Sequence, residues 1–316
     1  MAAIAAGDAD KLNVLTKKNY RSQAVWFLNA FWDGVLADDN NKNKIYEYTQ
    51  LMTKLDPKGK DGNELDEFKA HQFLEKTEGA LTVAQMRKEL KEIDIDFNKH
   101  VALTEFLIFN FKVDVHALVI APQTSDAEAS RNVQAAQVEV DKAMAQANVA
   151  KEAADAAASA HAAAVEAEEA AKKALADLEA EQKAFDDKCA KFEETGNNME
   201  LGIVKRNRAK QELAQLKASD PMPLQRAKIT QSAAVRKVAK ARKKAETTAN
   251  AAKEEHAKAE ESFKNAEENL AVLTKQCKGA GQGTMWYMKR ELAEAKKYMT
   301  PKQLKKSDEE LLKMMA

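Results

Sequence analysis

Aromatic side chains are scarce in this sequence, at 6% of 316 residues, too few large apolar groups to fill one globular core of that length. Two cysteines, Cys189 and Cys277, rule out a disulfide-built scaffold and suit a reducing compartment. Neither sign of charge prevails, with 50 Lys and Arg against 50 Asp and Glu. No apolar run approaches the ~20 residues that span a bilayer, so no membrane span is expected. The first residues carry Asp8 and Asp10 and no basic stretch, unlike a signal peptide. A cytoplasmic location is therefore expected. Also missing are a phosphate-binding glycine loop, a nucleophile elbow and a metalloprotease helix, so the expectation is a protein that is not an enzyme.

What the chain does have is Ala, Glu and Lys in long periodic tracts. The expected fold class is all-α: an EF-hand lobe, then a long Ala-rich antiparallel helical hairpin or coiled coil, then a short C-terminal helix. Ala136, Ala143, Ala150, Ala157, Ala164, Ala171, Leu178, Phe185 and Phe192 recur every seven residues. A second seam, displaced by four, holds Val140, Ala147, Ala154 and Leu175. Such a repeat specifies a supercoiled helix, and small Ala lets helices approach closely. A return limb, Leu224 to Cys277, has its own series at Val238, Ala245, Ala252, Ala259, Ala266 and Leu273, with Phe263, Leu270 and Cys277 beside it. Met199 to Lys217 reads as a shorter helix between the two. Folded back on itself, this pair places Cys189 near position 229 and Cys277 near position 141, about 70 Å apart by helical rise. His161 and His256 would then face each other, a tolerated interruption of the seam rather than a metal site. A parallel dimer is the rival architecture.

The stretch Asp94 to Glu105 carries ligand-like spacing. Asp94, Asp96 and Asn98 supply side-chain oxygens at loop positions one, three and five. The His100 carbonyl stands at seven and Glu105 closes the loop at twelve, the pattern of a Ca2+-binding EF-hand. Lys99 occupies position six, where glycine is usual, and Ala102 at nine leaves a water to complete the shell. Affinity of roughly 10⁻⁷ to 10⁻⁵ M or weaker is expected. Val101 should pair with a sister loop. That loop, read from Asp56 to Glu67, has Lys58 and Lys60 at positions three and five and is expected to support its partner without an ion. Gln23 to Leu36, rich in Trp and Phe, reads as a core helix of the lobe.

Between Leu201 and Ala245 thirteen Lys or Arg face only Glu212 and Asp220. A cationic zone of this density is a landing site for a polyanion: an acidic protein filament, nucleic acid or an anionic membrane. No base-reading motif or stacking aromatic accompanies it, so nucleic acid is not expected as partner. Behind the glycine-rich stretch KGAGQGT, Met285, Leu292 and Met299 form a stripe joined by Trp286 and Met288. This helix has either the form of an EF-hand target or that of a static cap on the lobe. The domain layout follows: an arm at 1–22, an EF-hand domain at 23–114 (loops 56–67 and 94–105), a linker at 115–125, a rod at 126–277 with its basic region at 201–245, and a C-terminal helix and tail at 278–316.

Four segments together resemble the calcium-regulated actin-bundling proteins of amoeboid protists: SQAVWFLNAFW at Ser22 to Trp32, IDIDFNKHVALTEFLIFNFK at Ile93 to Lys112, SAAVRKVAKARKK at Ser232 to Lys244, and MWYMKRELAEAKKYMTPKQ at Met285 to Gln303. The resemblance implies binding and cross-linking of filamentous actin by more than one segment, contact between N- and C-terminal parts, and weaker bundling when calcium binds. It implies Asp94, Asp96, Asn98, His100 and Glu105 as calcium ligands. The main actin contacts would lie in the basic region at Arg236, Lys237, Lys240, Arg242, Lys243 and Lys244. A cytoskeletal location goes with the resemblance. Read from the residues alone, Met285, Trp286, Met288 and Leu292 are the candidate docking residues of the C-terminal helix. The competing reading of the residues is a self-associating, calcium-responsive scaffold that needs no actin.

Overall fold

The computed structural model describes residues 6–79, 82–124, 127–218, 221–276 and 281–298. The fold is all-α, with one two-stranded ribbon. Helix α1 (Ala6–Thr16) precedes α2 (Tyr20–Ala30), which starts where Asn19 accepts a bond from the Ser22 N–H at 2.9 Å. Asp38 caps α3 (Asp39–Leu55) in the same way. A 3-10 turn at Gly59–Asp61 leads into strand β1 (Glu64–Asp66), and Asp66 caps α4 (Glu67–Glu78). Thr82 and Gln85 form a reciprocal capping box on α5 (Val83–Ile93). Strand β2 (His100–Ala102) and α6 (Leu103–Phe111) follow, then α7 (Val115–Ile120), capped by Asp114. Beyond lie α8 (Ala127–Asn197), α9 (Ile203–Ala218), α10 (Met222–Gln276) and α11 (Gln282–Tyr298).

The chain divides into two compact units. The first comprises residues up to Ala145 together with Glu260–Lys297. Its core is where the scarce aromatics are concentrated: Phe106 stands edge-on to Phe73 at 4.7 Å and to Tyr48 at 5.1 Å, and Phe27 packs on Phe31 and Phe111. Such edge-to-face contacts add stabilisation beyond burial alone. Antiparallel pairing of β1 with β2 joins the two loops, with Leu65 against Val101, both buried.

The N-terminal arm, which the sequence reads as a mobile arm or a short helix, is helical from Ala6 to Thr16, and its Leu12 and Leu15 are buried in the core. Two other segments differ from the sequence expectation. The linker at 115–125 contains α7, whose Leu118 and Val119 join the same core. Two apolar anchors per helix suffice there because the lobe presents a ready surface. The helix expected at Gln23–Leu36 begins at Tyr20, because Asn19 caps it there, and ends at Ala30. Turns follow, and Trp32 lies under the Lys42 ammonium at 4.0 Å.

The second unit is built on Gln146–Ala259. Ala160 and Ala164 of α8 pack against Ala241 and Ala245 of α10, and Arg242 pairs with Glu168 at 2.7 Å, so the two helices run antiparallel within one chain. The expected register would have set Ala164 against Glu254. It shifts because α9 already belongs to the return limb: Lys217 reaches Glu193 at 2.5 Å, and Gly196 lies beside Lys210. The chain thus reverses at 198–202 rather than further on. The facing of His161 and His256 fails for the same reason. His161 is level with Ala241 to Ala245, and His256 lies three turns past Ala245, about 16 Å by helical rise. Cys277 lies outside the described residues, and Cys189 is partly buried.

The first seam of α8 is buried at Ala150, Ala157 and Ala164, but the second walks: Ala174 is buried while Leu175 is 44% exposed. From Ala157 onward the second buried position stands three residues past the first, at Ala160, Ala167 and Ala174, instead of four, as at Val140 and Ala147, which turns Leu175 away from the seam.

Candidate functional site

Three carboxylates converge at the start and end of the loop between α5 and α6. One oxygen from each of Asp94, Asp96 and Glu105 lies within 4.8 Å of the others. Among the described residues no other group of three or more His, Cys, Asp or Glu side chains is brought together in this way. The loop is wound around Asp94, whose Oδ1 accepts the Asn98 N–H and whose Oδ2 accepts the Lys99 N–H, both at 3.0 Å. Asn98 Oδ1 in turn accepts the His100 N–H at 2.6 Å. Lys99 adopts a left-handed backbone at φ 63°, as position six demands, at a cost of about 1 kcal/mol for a residue with a Cβ. Phe97 does the same at φ 59°, a second strained position that the sequence pattern did not mark.

Glu105 is the buried member. Its Oε1 accepts the Ile95 N–H at 3.0 Å and its Oε2 the Ala102 N–H at 2.9 Å. Burial, and then the charges of Asp96 and Asp94, outweigh those two bonds and push its carboxyl up to about 8. Asp96 is raised as well, chiefly by burial. The donor set is carboxylate, amide and carbonyl oxygen throughout, and it fits a hard divalent cation and no soft one.

The sister loop is arranged differently. Asp56 at its first position is buried and already engaged: the Tyr20 hydroxyl donates to Oδ2 at 2.8 Å and the Lys58 N–H to Oδ1 at 2.8 Å. A Cβ on Gly62 would collide with that carboxylate, so the close approach requires glycine. Lys58 and Lys60 are exposed.

Helix α11 lies on α2 and α3. Met285, Met288 and Leu292 are buried and Trp286 is half-buried. Met299 lies outside the described residues, as does Gly279. Gly283 is a packing position: a Cβ there would stand 2.6 Å from Leu28 Cβ and 2.7 Å from the Asn29 nitrogen, so this glycine permits helix contact. One deeply buried member is a residue the stripe did not include. Tyr287 is 1% exposed and stacks near Tyr46 at 5.3 Å. Its helical neighbours Thr284 and Glu291 are polar, which hid that edge of the face. Thr284 and Asn29 exchange two hydrogen bonds at 2.9 and 3.1 Å, and Glu291 pairs with Arg21, which also holds Asp141 of α8 at 2.9 Å. Burial pushes Glu291 up to about 7 even against the Arg21 charge.

In the second unit, α10 buries Ala245 and half-buries Val238 and Ala241, which leaves Arg236, Lys237, Lys240, Arg242, Lys243 and Lys244 exposed around the remaining circumference. Arg242 is engaged with Glu168. Among the described residues, no carboxylate lies within ion-pair distance of the other five.

Residues 127–270 match the family model described as F actin bundling C terminal. No curated protein matches the chain. Among solved structures, the chain is similar to a 34 kDa F-actin bundling protein from Dictyostelium discoideum, with 17% identity and a TM-score of 0.47 over 93% of this chain and 98% of that one. No helix among the described residues is long and apolar enough to cross a membrane.

Proposed function

We propose that this chain binds and cross-links actin filaments and that calcium modulates the cross-linking. The observation that carries the reading is that the segment matching F actin bundling C terminal, 127–270, contains the exposed cations of α10, in a chain that also gathers Asp94, Asp96 and Glu105. Arg236, Lys237, Lys240, Lys243 and Lys244 offer charge to an acidic filament surface, with Arg242 partly spent on Glu168. Asp94, Asp96, Asn98, the His100 carbonyl and Glu105 would hold the ion. Bound Ca2+ would supply the positive charge that offsets the mutual repulsion of these carboxylates. Glu105 must give up its proton to serve, and it trades its bonds to Ile95 and Ala102 against the ion. Any such change at the head of α6 shifts an equilibrium between two arrangements of the lobe only as far as the ion prefers one of them.

The seam alanines Ala160, Ala164, Ala241 and Ala245 are consumed within one chain, so self-assembly has no claim on them. Actin binding is therefore favoured over the self-associating scaffold. Co-sedimentation with filamentous actin, with and without calcium, tests the reading: pelleting with actin in at least one condition is expected, and no pelleting in either ends it. Light scattering of the protein alone separates the scaffold reading, which requires large assemblies without actin.

A further inference from the structure

One fully buried polar side chain stands between the calcium loop and the rest of the first unit. Gln23 of α2 shares the two hydrogens of Nε2 among the carbonyls of Thr16, Lys18 and Asn63 at 3.1, 2.6 and 2.8 Å, and its Oε1 accepts the Thr104 N–H at 2.9 Å and the Thr104 hydroxyl at 3.0 Å. Thr104 immediately precedes Glu105. Two residues before Gln23, on the same turn of α2, Arg21 holds Glu291 of α11 and Asp141 of α8. At the other end of α2, Asn29 is bonded to Thr284 and Leu28 touches Gly283. Helix α2 is thus tied to the head of α6 by one amide and to α11 at both ends.

Resting on the calcium reading above, we infer that Gln23 is a positioning residue for the ion loop, and that α2 carries the state of the loop to α11 and to the first turns of α8. Gln23 fixes the backbone at Thr104, and thereby the direction from which Glu105 closes the loop. Because the same amide also grips Asn63, beside β1, the sister loop moves with it. A shift of Thr104 cannot be absorbed locally: the amide is 0% exposed, no water replaces a lost bond, and breaking one bond strands a buried donor or acceptor. The displacement passes to α2 and from there to the helix it grips through Arg21 and Asn29.

The test uses the full chain and Ca2+ alone, with calorimetry for uptake and backbone hydrogen exchange as readout. In the wild-type protein calcium is expected to change exchange at 20–23 and at 284–291 as well as in the loop. Gln23→Met, close in size but without the amide, is expected to weaken calcium uptake about tenfold or more and to abolish the calcium response at 284–291. Thr104→Val removes the hydroxyl bond and keeps the N–H bond, and should give a smaller loss of both. A merely structural Gln23 would lower Tm equally with and without calcium and leave the response at 284–291 intact, which overturns the inference. If Gln23→Met does not fold, Thr104→Val and the wild type decide: calcium uptake with no exchange change at 20–23 or 284–291 overturns the relay while the calcium reading stands. No uptake by the wild type overturns both.

Discussion

The two units bury their apolar groups in opposite ways. In the first, a few large side chains such as Phe27, Phe73 and Phe106 are wholly enclosed and several buried polar groups are tied by hydrogen bonds. In the second, the buried residues are almost all alanine, repeated over many turns. Each alanine removes little surface from water, so the second unit depends on the number of contacts and not on any one of them. The contrast teaches where a single substitution can matter: in the first unit one side chain decides, and in the second one side chain is diluted.

The largest effect should come from Phe106→Ala. Removing a fully buried ring should cost about 3–5 kcal/mol, read as a lowered denaturation midpoint of tryptophan fluorescence. That probe reports the first unit alone, because Trp26, Trp32 and Trp286 all lie in it. Ala164→Leu should cost less, about 1–3 kcal/mol from overpacking, visible in far-ultraviolet dichroism with the tryptophan signal unchanged. A loss in the hairpin as large as that of Phe106→Ala would break the comparison.

Next in size is the pH effect on calcium uptake. Glu105 in the free protein holds its proton up to about 8, against an ordinary glutamate value near 4.5. The folded free protein therefore binds more protons than the unfolded chain between those values, so its stability falls as pH rises through that window. Calcium needs the ionised form, and its apparent affinity should rise with pH by up to about tenfold per unit, or about 1.4 kcal/mol, until pH passes about 8. Calorimetry at several pH values in buffers of different ionisation heat checks both the slope and the proton release. Smallest in stability should be the double reversal Lys237→Glu and Lys240→Glu, within about 0.5 kcal/mol on an exposed face. Its signature is instead weaker, less salt-sensitive pelleting with actin.

Local spacing made the carboxylate cluster legible in the sequence, because Asp94, Asp96 and Glu105 fall within twelve residues of one loop. The same holds for the pairing of Val101 and for the first Ala seam, since both rest on short periods. Tertiary choices were less legible. Helix α1 has only Leu12 and Leu15 as anchors, and α7 is six residues long, so neither carries a pattern strong enough to separate it from an arm or a linker. The hairpin register turned on whether α9 belongs to the connection or to the return limb, and nothing in Ile203–Ala218 itself decides that. Gln23 lay in view as a polar residue on an aromatic helix. Its five bonds join segments up to 81 residues apart, and no local period records them.

The account stands or falls on whether loop occupancy and filament cross-linking are one equilibrium. Low-speed pelleting of actin bundles across a calcium titration, set beside calorimetry on the same protein, measures this directly. Bundling should change with a midpoint at the calorimetric affinity, and Glu105→Gln should abolish the change while leaving actin binding in place. Bundling that stays flat to millimolar calcium, or a Glu105→Gln protein that responds like the wild type, would contradict it.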